Sequence, residues 1–205
     1  FDTAGVVESL IPHKKQLPPI LCLQNGVDNE QVIAAGLGHK RLIPGTLTSA
    51  ISRRGIGCIQ LERLRGIGVA AGHPLSERLT SALSDAGVNA RLYANAADMK
   101  WSKMLTNLVG NASSAILDMP PGDIFAHGEL FEIEIRQLRE TLAVMQAQGI
   151  RVVDLPGTPV RLLAFAVRRL PAVIARPLLS KAIGGGRGGK MPSFHIDLHS
   201  QRGSS

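Results

Sequence analysis

Hydrophobic and polar positions divide the chain into a first part of mixed helices and strands and a second part of helices. Up to about Asn95, short apolar runs bounded by glycine and proline predict strands, of which Ile20–Leu23 is the clearest. Segments that predict helices lie between them, at 1–10, 30–36 and 74–86. This alternation predicts a mixed α/β fold for the first part.

From Ala96 onward the spacing of apolar residues is helical almost throughout, so the predicted domains are 1–96 and 97–205. The longest predicted helix ends at Gly149. Its apolar face is formed by Phe131, Ile135, Leu138, Leu142 and Met145. Further helices are predicted at 159–169 and 172–183, and a last one opens at Pro192-Ser193.

One stretch of the second part combines an apolar face with polar residues at helical spacing. Its polar positions are Lys103, Asn107, Asn111 and Ser114. At 3.6 residues per turn, these four fall within about one quarter of a single helix. A solvated face usually carries many charges, whereas amides and a hydroxyl suit a half-buried cleft in which each group needs a partner. The stripe predicts a binding site, with an ordinary solvated face as the open alternative.

Composition narrows the class of protein. The hydrophobic fraction of 44% is typical of a globular domain, and no apolar run approaches the roughly 20 residues of a membrane helix. We therefore expect a cytoplasmic protein without a membrane partner. Cys22 and Cys58 are too few and too far apart to predict a zinc site or a disulfide framework.

The net charge of +7 is concentrated in the last third, where the acidic residues from Arg151 onward are Asp154 and Asp197. Such a surface could attract an anionic partner. An aromatic content of 3% leaves few side chains on which bases could stack, so no nucleic-acid partner is predicted.

Glycines near the C-terminus resemble a phosphate-binding loop. Gly184, Gly186 and Gly189 match G-x-G-x-x-G, and Gly189 with Lys190 nearly completes a P-loop. No predicted strand precedes them, and Met191 stands where a P-loop needs Ser or Thr. We interpret 184–189 as a flexible connector.

Two histidines near the C-terminus have a spacing that could bind a metal ion. His195 and His199 lie four residues apart, with Asp197 between them. A third ligand is not evident from sequence, so a solvated helix face is predicted and no metal site.

Several short motifs occur together in a characteristic order. They are Leu23-Gln24-Asn25-Gly26, His39-Lys40-Arg41 leading to Pro44-Gly45-Thr46, Trp101 with Lys103, Asn107 and Asn111, and Pro192-Ser193 with Asp197. With these motifs the chain resembles the ketopantoate reductase family, whose members reduce 2-dehydropantoate with NADPH in pantothenate and coenzyme A biosynthesis.

The resemblance implies that 1–96 is the C-terminal portion of a Rossmann-type NADP(H)-binding domain. Residues 97–205 then form an all-α substrate-binding and catalytic domain, with the active site in the cleft between the two. A small-molecule 2-oxo acid is the implied substrate. Whether the chain forms a homodimer is left open.

The resemblance also implies roles for individual residues. Lys103 corresponds to the general acid, and Asn25 to an amide near the cofactor. Asn107 and Asn111 correspond to substrate-binding amides, and Ser193 to the hydroxyl that holds the substrate carboxylate. The chemistry of Lys103 agrees, because an ammonium can stabilise the oxyanion left by hydride addition and then protonate it.

The sequence departs from the family pattern at both ends. The family's nucleotide-binding glycine loop lies further upstream than the 23 residues that precede Gln24, and its last acidic residue falls beyond Ser205. We therefore expect a fragment of a larger reductase that binds NADPH poorly by itself. The alternatives are an inactive fragment, a dimerising binding module, or a reductase of another 2-oxo acid.

Overall fold

The computed structural model describes residues 2–187 and 191–199, without the side chains of Arg53, Arg187 and Asp197. The chain forms two compact units. The first contains Phe1–Met104 and Ile150–Pro159, and the second contains Leu105–Gly149 and Val160–Ser205. Helix α4 (Ala96–Leu108) contributes residues to both units, and the predicted domain boundary at residues 96 and 97 stays a prediction.

The first unit is a mixed α/β structure. Besides the start of α4, its elements are α1 (Thr3–Leu10), β1 (Ile20–Cys22), α2 (Asn29–Leu37), β2 (Leu42–Leu47), β3 (Ala50–Gly55), β4 (Cys58–Arg63), β5 (Ile67–Ala70), α3 (Ser76–Asp85) and β6 (Ala90–Tyr93). Short 3₁₀ helices follow α1 and α2, at Ile11–His13 and His39–Arg41. The predicted helices and the predicted strand at 20–23 are therefore confirmed.

Four strands form the main sheet in the order β1-β2-β5-β6. The pairs β1–β2 and β5–β6 are parallel, and β2–β5 is antiparallel. Strand β5 is buried along its whole length. Strands β3 and β4 form a separate antiparallel hairpin.

One glycine of this unit is required by its surroundings. Gly66 has φ +138°, and a Cβ there would lie 2.0 Å from the carbonyl oxygen of Asn89 and 2.6 Å from Pro156 Cβ. No larger residue fits at position 66 without a clash, so Gly66 allows β5 to begin beside β6.

The second unit is helical. Besides the end of α4, it contains α5 (Asn111–Leu117), α6 (Pro121–Ala126), α7 (Gly128–Ala147), α8 (Val160–Arg169), α9 (Ala172–Arg187) and α10 (Ser193–His199). The apolar face predicted for α7 is buried, which confirms the prediction made from its spacing. Among the described residues, no helix is both long and apolar enough to span a membrane.

The connector predicted at 184–189 is wrong for residues 184–187, because α9 continues through Gly184 to Arg187. Helix α6 packs against this part of α9, and a Cβ on Gly122 would lie 3.1 Å from Gly184 Cα. Gly122 and Gly184 therefore allow the two helices to approach closely. Gly189 and Lys190 of the P-loop-like pattern lie outside the described residues.

Candidate active-site residues

Asn25 lies in the turn that follows β1. The side-chain amide of Asn29 donates a 2.6 Å hydrogen bond to the Asn25 carbonyl, and Gly26 has φ +102°. Thr3 in turn donates to Asn29 Oδ1. The backbone of the turn is thus held in place, while the Asn25 side chain is exposed beyond the carboxyl end of a parallel strand.

A buried lysine donates a hydrogen bond to the backbone of the same turn. The Lys100 ammonium lies 2.7 Å from Glu30 Oε1 and donates to the carbonyl oxygens of Gln24 at 2.7 Å and Gly45 at 3.3 Å. The Lys100 and Glu30 side chains are only 5% and 14% exposed. A buried ammonium is tolerated when it is paired and hydrogen-bonded, and here the Glu30 carboxylate pairs its charge while two backbone carbonyls accept its hydrogen bonds. Lys100 therefore joins α4 to the ends of β1 and β2.

Sequence reasoning did not single out Lys100, although a signal was present. Lys100 lies seven residues before Asn107, which places it on the same stripe of α4. Extending the stripe back by one turn would have included it. Its partners Gln24 and Gly45 both belong to motifs that carry the family resemblance.

Two further contacts fix α4 in the first unit. The buried carboxylate of Asp98 accepts hydrogen bonds from the backbone N–H and the Nε of Arg151, at 2.9 and 3.1 Å. The fully buried Ser102 hydroxyl accepts from the N–H of Val153 at 2.9 Å. Lys103 is the next residue after Ser102, so its backbone belongs to a firmly held turn. Its side chain is half-buried, as is that of Asn107 one turn later.

The prediction that Lys103, Asn107, Asn111 and Ser114 share a single helix is wrong. Helix α4 ends at Leu108, Gly110 adopts a left-handed conformation with φ +63°, and α5 begins at Asn111. Lys103 and Asn107 remain on one face of α4, whereas Asn111 and Ser114 belong to α5.

A buried carboxylate on α7 accepts hydrogen bonds at this break. Glu134 is fully buried and accepts a 2.8 Å hydrogen bond from the Gly110 N–H and a 2.5 Å one from the Ser113 hydroxyl. The N–H groups at the start of a helix are orphan donors, and a carboxylate satisfies them favourably. A local pattern could not reveal this partner, which lies 24 residues from Gly110.

Asn111 has an unsatisfied acceptor. Its Oδ1 is buried and has no hydrogen-bond partner among the residues that the structure describes. Ser114 Oγ is also buried, because Ser114 is 0% exposed, and it has no hydrogen-bond partner among the described residues. Ser114 therefore faces the protein interior. A buried amide oxygen without a partner is unusual in a folded protein, and a bound ligand is one way to satisfy it.

Ser193 is the first residue of α10, as predicted, and is exposed. Helix α10 packs against α5, the helix that Asn111 begins. The second unit thus brings together the helices that carry these two predicted substrate residues. A cavity of about 260 Å³ in this unit, between α7, α8 and α9, is lined by neither of them.

Solved structures that resemble this chain show which class of fold it adopts. A D-mandelate dehydrogenase in complex with NADH superposes with a TM-score of 0.71 at 16% identity, over 97% of this chain and 62% of that one. The PanE/ApbA family ketopantoate reductase from Ralstonia eutropha JMP134 gives 0.67 at 21% identity, over 97% and 70%. The fold is thus a Rossmann-type α/β part followed by an all-α domain, as predicted.

The family follows from two sequence models. Ketopantoate reductase PanE/ApbA matches residues 1–71, and its C-terminal counterpart matches residues 95–179. The chain belongs to the ketopantoate reductase PanE/ApbA family. The 2-dehydropantoate 2-reductase of Streptococcus pyogenes serotype M3 is 26% identical over 141 residues, which cover 65% of this chain and 45% of that protein. The matched region is thus about half the length of this curated relative.

Proposed function

We propose that this chain serves the NADPH-dependent reduction of 2-dehydropantoate to pantoate, with Lys103 as the general acid. The observation that carries the proposal is the pair Lys103 and Asn107, half-buried on one face of a helix that is fixed by buried polar contacts. Positioning of this kind is what a proton donor requires, because its reach to the substrate oxygen must be reproducible. Family membership supplies the reaction class.

In this proposal the lysine and the amides have separate tasks. Lys103 stabilises negative charge on the substrate oxygen and donates its proton there. Asn107 and Asn111 orient the substrate by hydrogen bonds, and a substrate hydroxyl satisfies the orphaned Oδ1 of Asn111. The Ser193 hydroxyl donates a hydrogen bond to the substrate carboxylate.

The residues at the end of β1 fit the nicotinamide end of a cofactor. Ligands of open α/β sheets bind beyond the carboxyl ends of parallel strands, which is where Asn25 lies. Because Lys100 fixes the carbonyls of Gln24 and Gly45, the Asn25 turn has little freedom to move when a ligand arrives. A bound reduced nicotinamide supplies the hydride. We assign NADP(H) rather than NAD(H) on the family resemblance alone.

The test follows the consumption of NADPH with 2-dehydropantoate as substrate. It is run on the 205-residue chain and on the protein encoded by the complete gene, with NADH and with 2-oxoisovalerate and phenylglyoxylate as comparisons. We expect the highest kcat/KM for the pair NADPH and 2-dehydropantoate. A higher kcat/KM for another 2-oxo acid would change the substrate, and no turnover with any pair in the complete protein would overturn the proposal.

A further inference from the structure

Three metal-ligating side chains meet where α5 and α10 pack together in the second unit. They are Asp118, which follows α5, and His195 and His199, which lie one turn apart on α10. One ligand atom of each residue lies within 4.8 Å of the other two. His195 is almost buried, whereas the side chain of Asp118 is 74% exposed, so the cluster can be reached from solvent.

The hydrogen bonds of the cluster prepare one nitrogen for a metal ion. His199 Nδ1 lies 3.0 Å from the carbonyl oxygen of His195, and a carbonyl can only accept. The proton of a neutral His199 is therefore on Nδ1, which leaves the lone pair of Nε2 available. A backbone carbonyl that orients a ligating histidine in this way is a usual feature of metal sites.

The second histidine already faces the carboxylate. His195 Nε2 lies 2.6 Å from Asp118 Oδ1, and the two imidazole rings are stacked with their centroids 4.0 Å apart. Asp118 has φ +52°, a conformation that Asp and Asn tolerate better than most residues.

We propose that Asp118, His195 and His199 bind one Zn²⁺ ion, or a divalent ion of similar ligand preference. Two imidazoles and one carboxylate form a common protein ligand set for zinc, with the fourth position open to water. Mg²⁺ and Ca²⁺ prefer all-oxygen ligands and fit this set poorly. Asp118 lies 77 residues before His195, so the sequence pattern alone did not group it with the two histidines.

The position of the ion suggests its role. It would join the end of α5 to α10, and these helices begin with Asn111 and Ser193. Under the proposed function, the ion is therefore a positioning group that holds Ser193 in place for the substrate carboxylate. It is not assigned a part in the chemical step.

Calorimetric titration of the untagged 205-residue chain with ZnCl₂, without substrate, tests the site. The background carries Cys58→Ser, because this exposed thiol could bind zinc by itself. We expect one Zn²⁺ per chain and no comparable heat with MgCl₂. His199→Gln and Asp118→Asn should each weaken zinc binding by at least about tenfold. Asp118→Asn keeps the left-handed backbone and an acceptor for His195. The control His127→Gln removes an exposed histidine outside the cluster and should leave binding unchanged.

Cobalt provides a second readout. Co²⁺ in a four-coordinate site gives strong visible absorption, which should appear in the background protein and disappear in His199→Gln. Circular dichroism confirms that each variant is folded. Unchanged zinc affinity in both folded ligand variants, or no zinc binding in the background protein, would overturn the site. Since no substrate is present, failure of the reductase assay would leave this result standing.

Discussion

Helix α4 carries two lysines less than one turn apart, and their surroundings differ. The Lys100 ammonium has three donors and three oxygen partners, Glu30 and two backbone carbonyls, and is almost fully buried. Lys103 is half-buried on a neighbouring part of the helix surface. Lys100 could not protonate a substrate without breaking its own cluster. The comparison shows that the charge pattern of a helix does not identify a structural lysine, whereas the burial and the partners of Lys100 do.

The largest expected effect on stability is that of Lys100→Met. Removal of one partner of a buried ion pair leaves Glu30 and two carbonyls unsatisfied, so the free energy of unfolding should fall by about 3–5 kcal/mol. The matched control, Lys103→Met, makes the same chemical change at a half-buried position and should cost less than about 1 kcal/mol. Urea unfolding measures both. Equal losses in the two variants would remove the distinction between the lysines.

Glu134 extends the comparison to the second unit. Glu134→Leu leaves the Gly110 N–H without its buried acceptor, and an unsatisfied buried donor costs about 1–3 kcal/mol. Glu132→Leu, on the exposed side of the same helix, should change the free energy of unfolding by less than about 0.5 kcal/mol. If Glu134→Leu is as stable as Glu132→Leu, Glu134 is not what fixes the break between α4 and α5.

Under the proposed function, Ser193 holds the substrate carboxylate. A hydrogen bond to a charged carboxylate contributes about 1.5–3 kcal/mol, so Ser193→Ala should raise KM by roughly 10- to 100-fold with a smaller change in kcat. Because Ser193 is exposed, the unfolding midpoint should stay the same. Steady-state kinetics of the complete-gene protein decide the matter, and an unchanged KM would exclude Ser193 from substrate binding.

The smallest effect concerns two thiols of the first unit. Burial raises the pKa of Cys22, which is 3% exposed, whereas Cys58 is exposed on the β3–β4 hairpin. A raised pKa means less thiolate at any given pH, so iodoacetamide at neutral pH should label Cys58 and spare Cys22. Mass spectrometry of the labelled peptides measures this. Lys100→Met should speed the labelling of Cys22, because it loosens the cluster beside β1. Equal labelling of both thiols in the unchanged protein would contradict the buried environment of Cys22.

Local sequence patterns predicted those features whose causes are local. The apolar spacing of α7 identified its buried face, and the run at 20–23 identified β1, because each element presents its own periodicity. The break at Gly110 and the continuation of α9 through Gly184 were not predicted, and the groups that contact these two positions, Glu134 and Gly122, lie elsewhere in the chain.

The candidate site likewise contains residues that local sequence patterns predicted and residues that they did not. Lys103 and Asn107 could be paired from sequence, since they lie four positions apart on one helix. The Lys100 cluster could not be predicted, because Gln24 and Gly45 lie 76 and 55 residues away. Asn25 and Ser193 were identified by the family resemblance, and Asn111 by the polar stripe as well. The roles of all three stay predictions.

The turnover of Lys103→Met, measured in the protein that the complete gene encodes, tests whether Lys103 is the general acid. With NADPH and 2-dehydropantoate, loss of the proton donor should lower kcat by roughly 10²- to 10⁴-fold. The urea midpoint of the same sample should stay close to that of the unchanged protein. Near-normal kcat in this folded variant would contradict the assignment of Lys103 as the general acid.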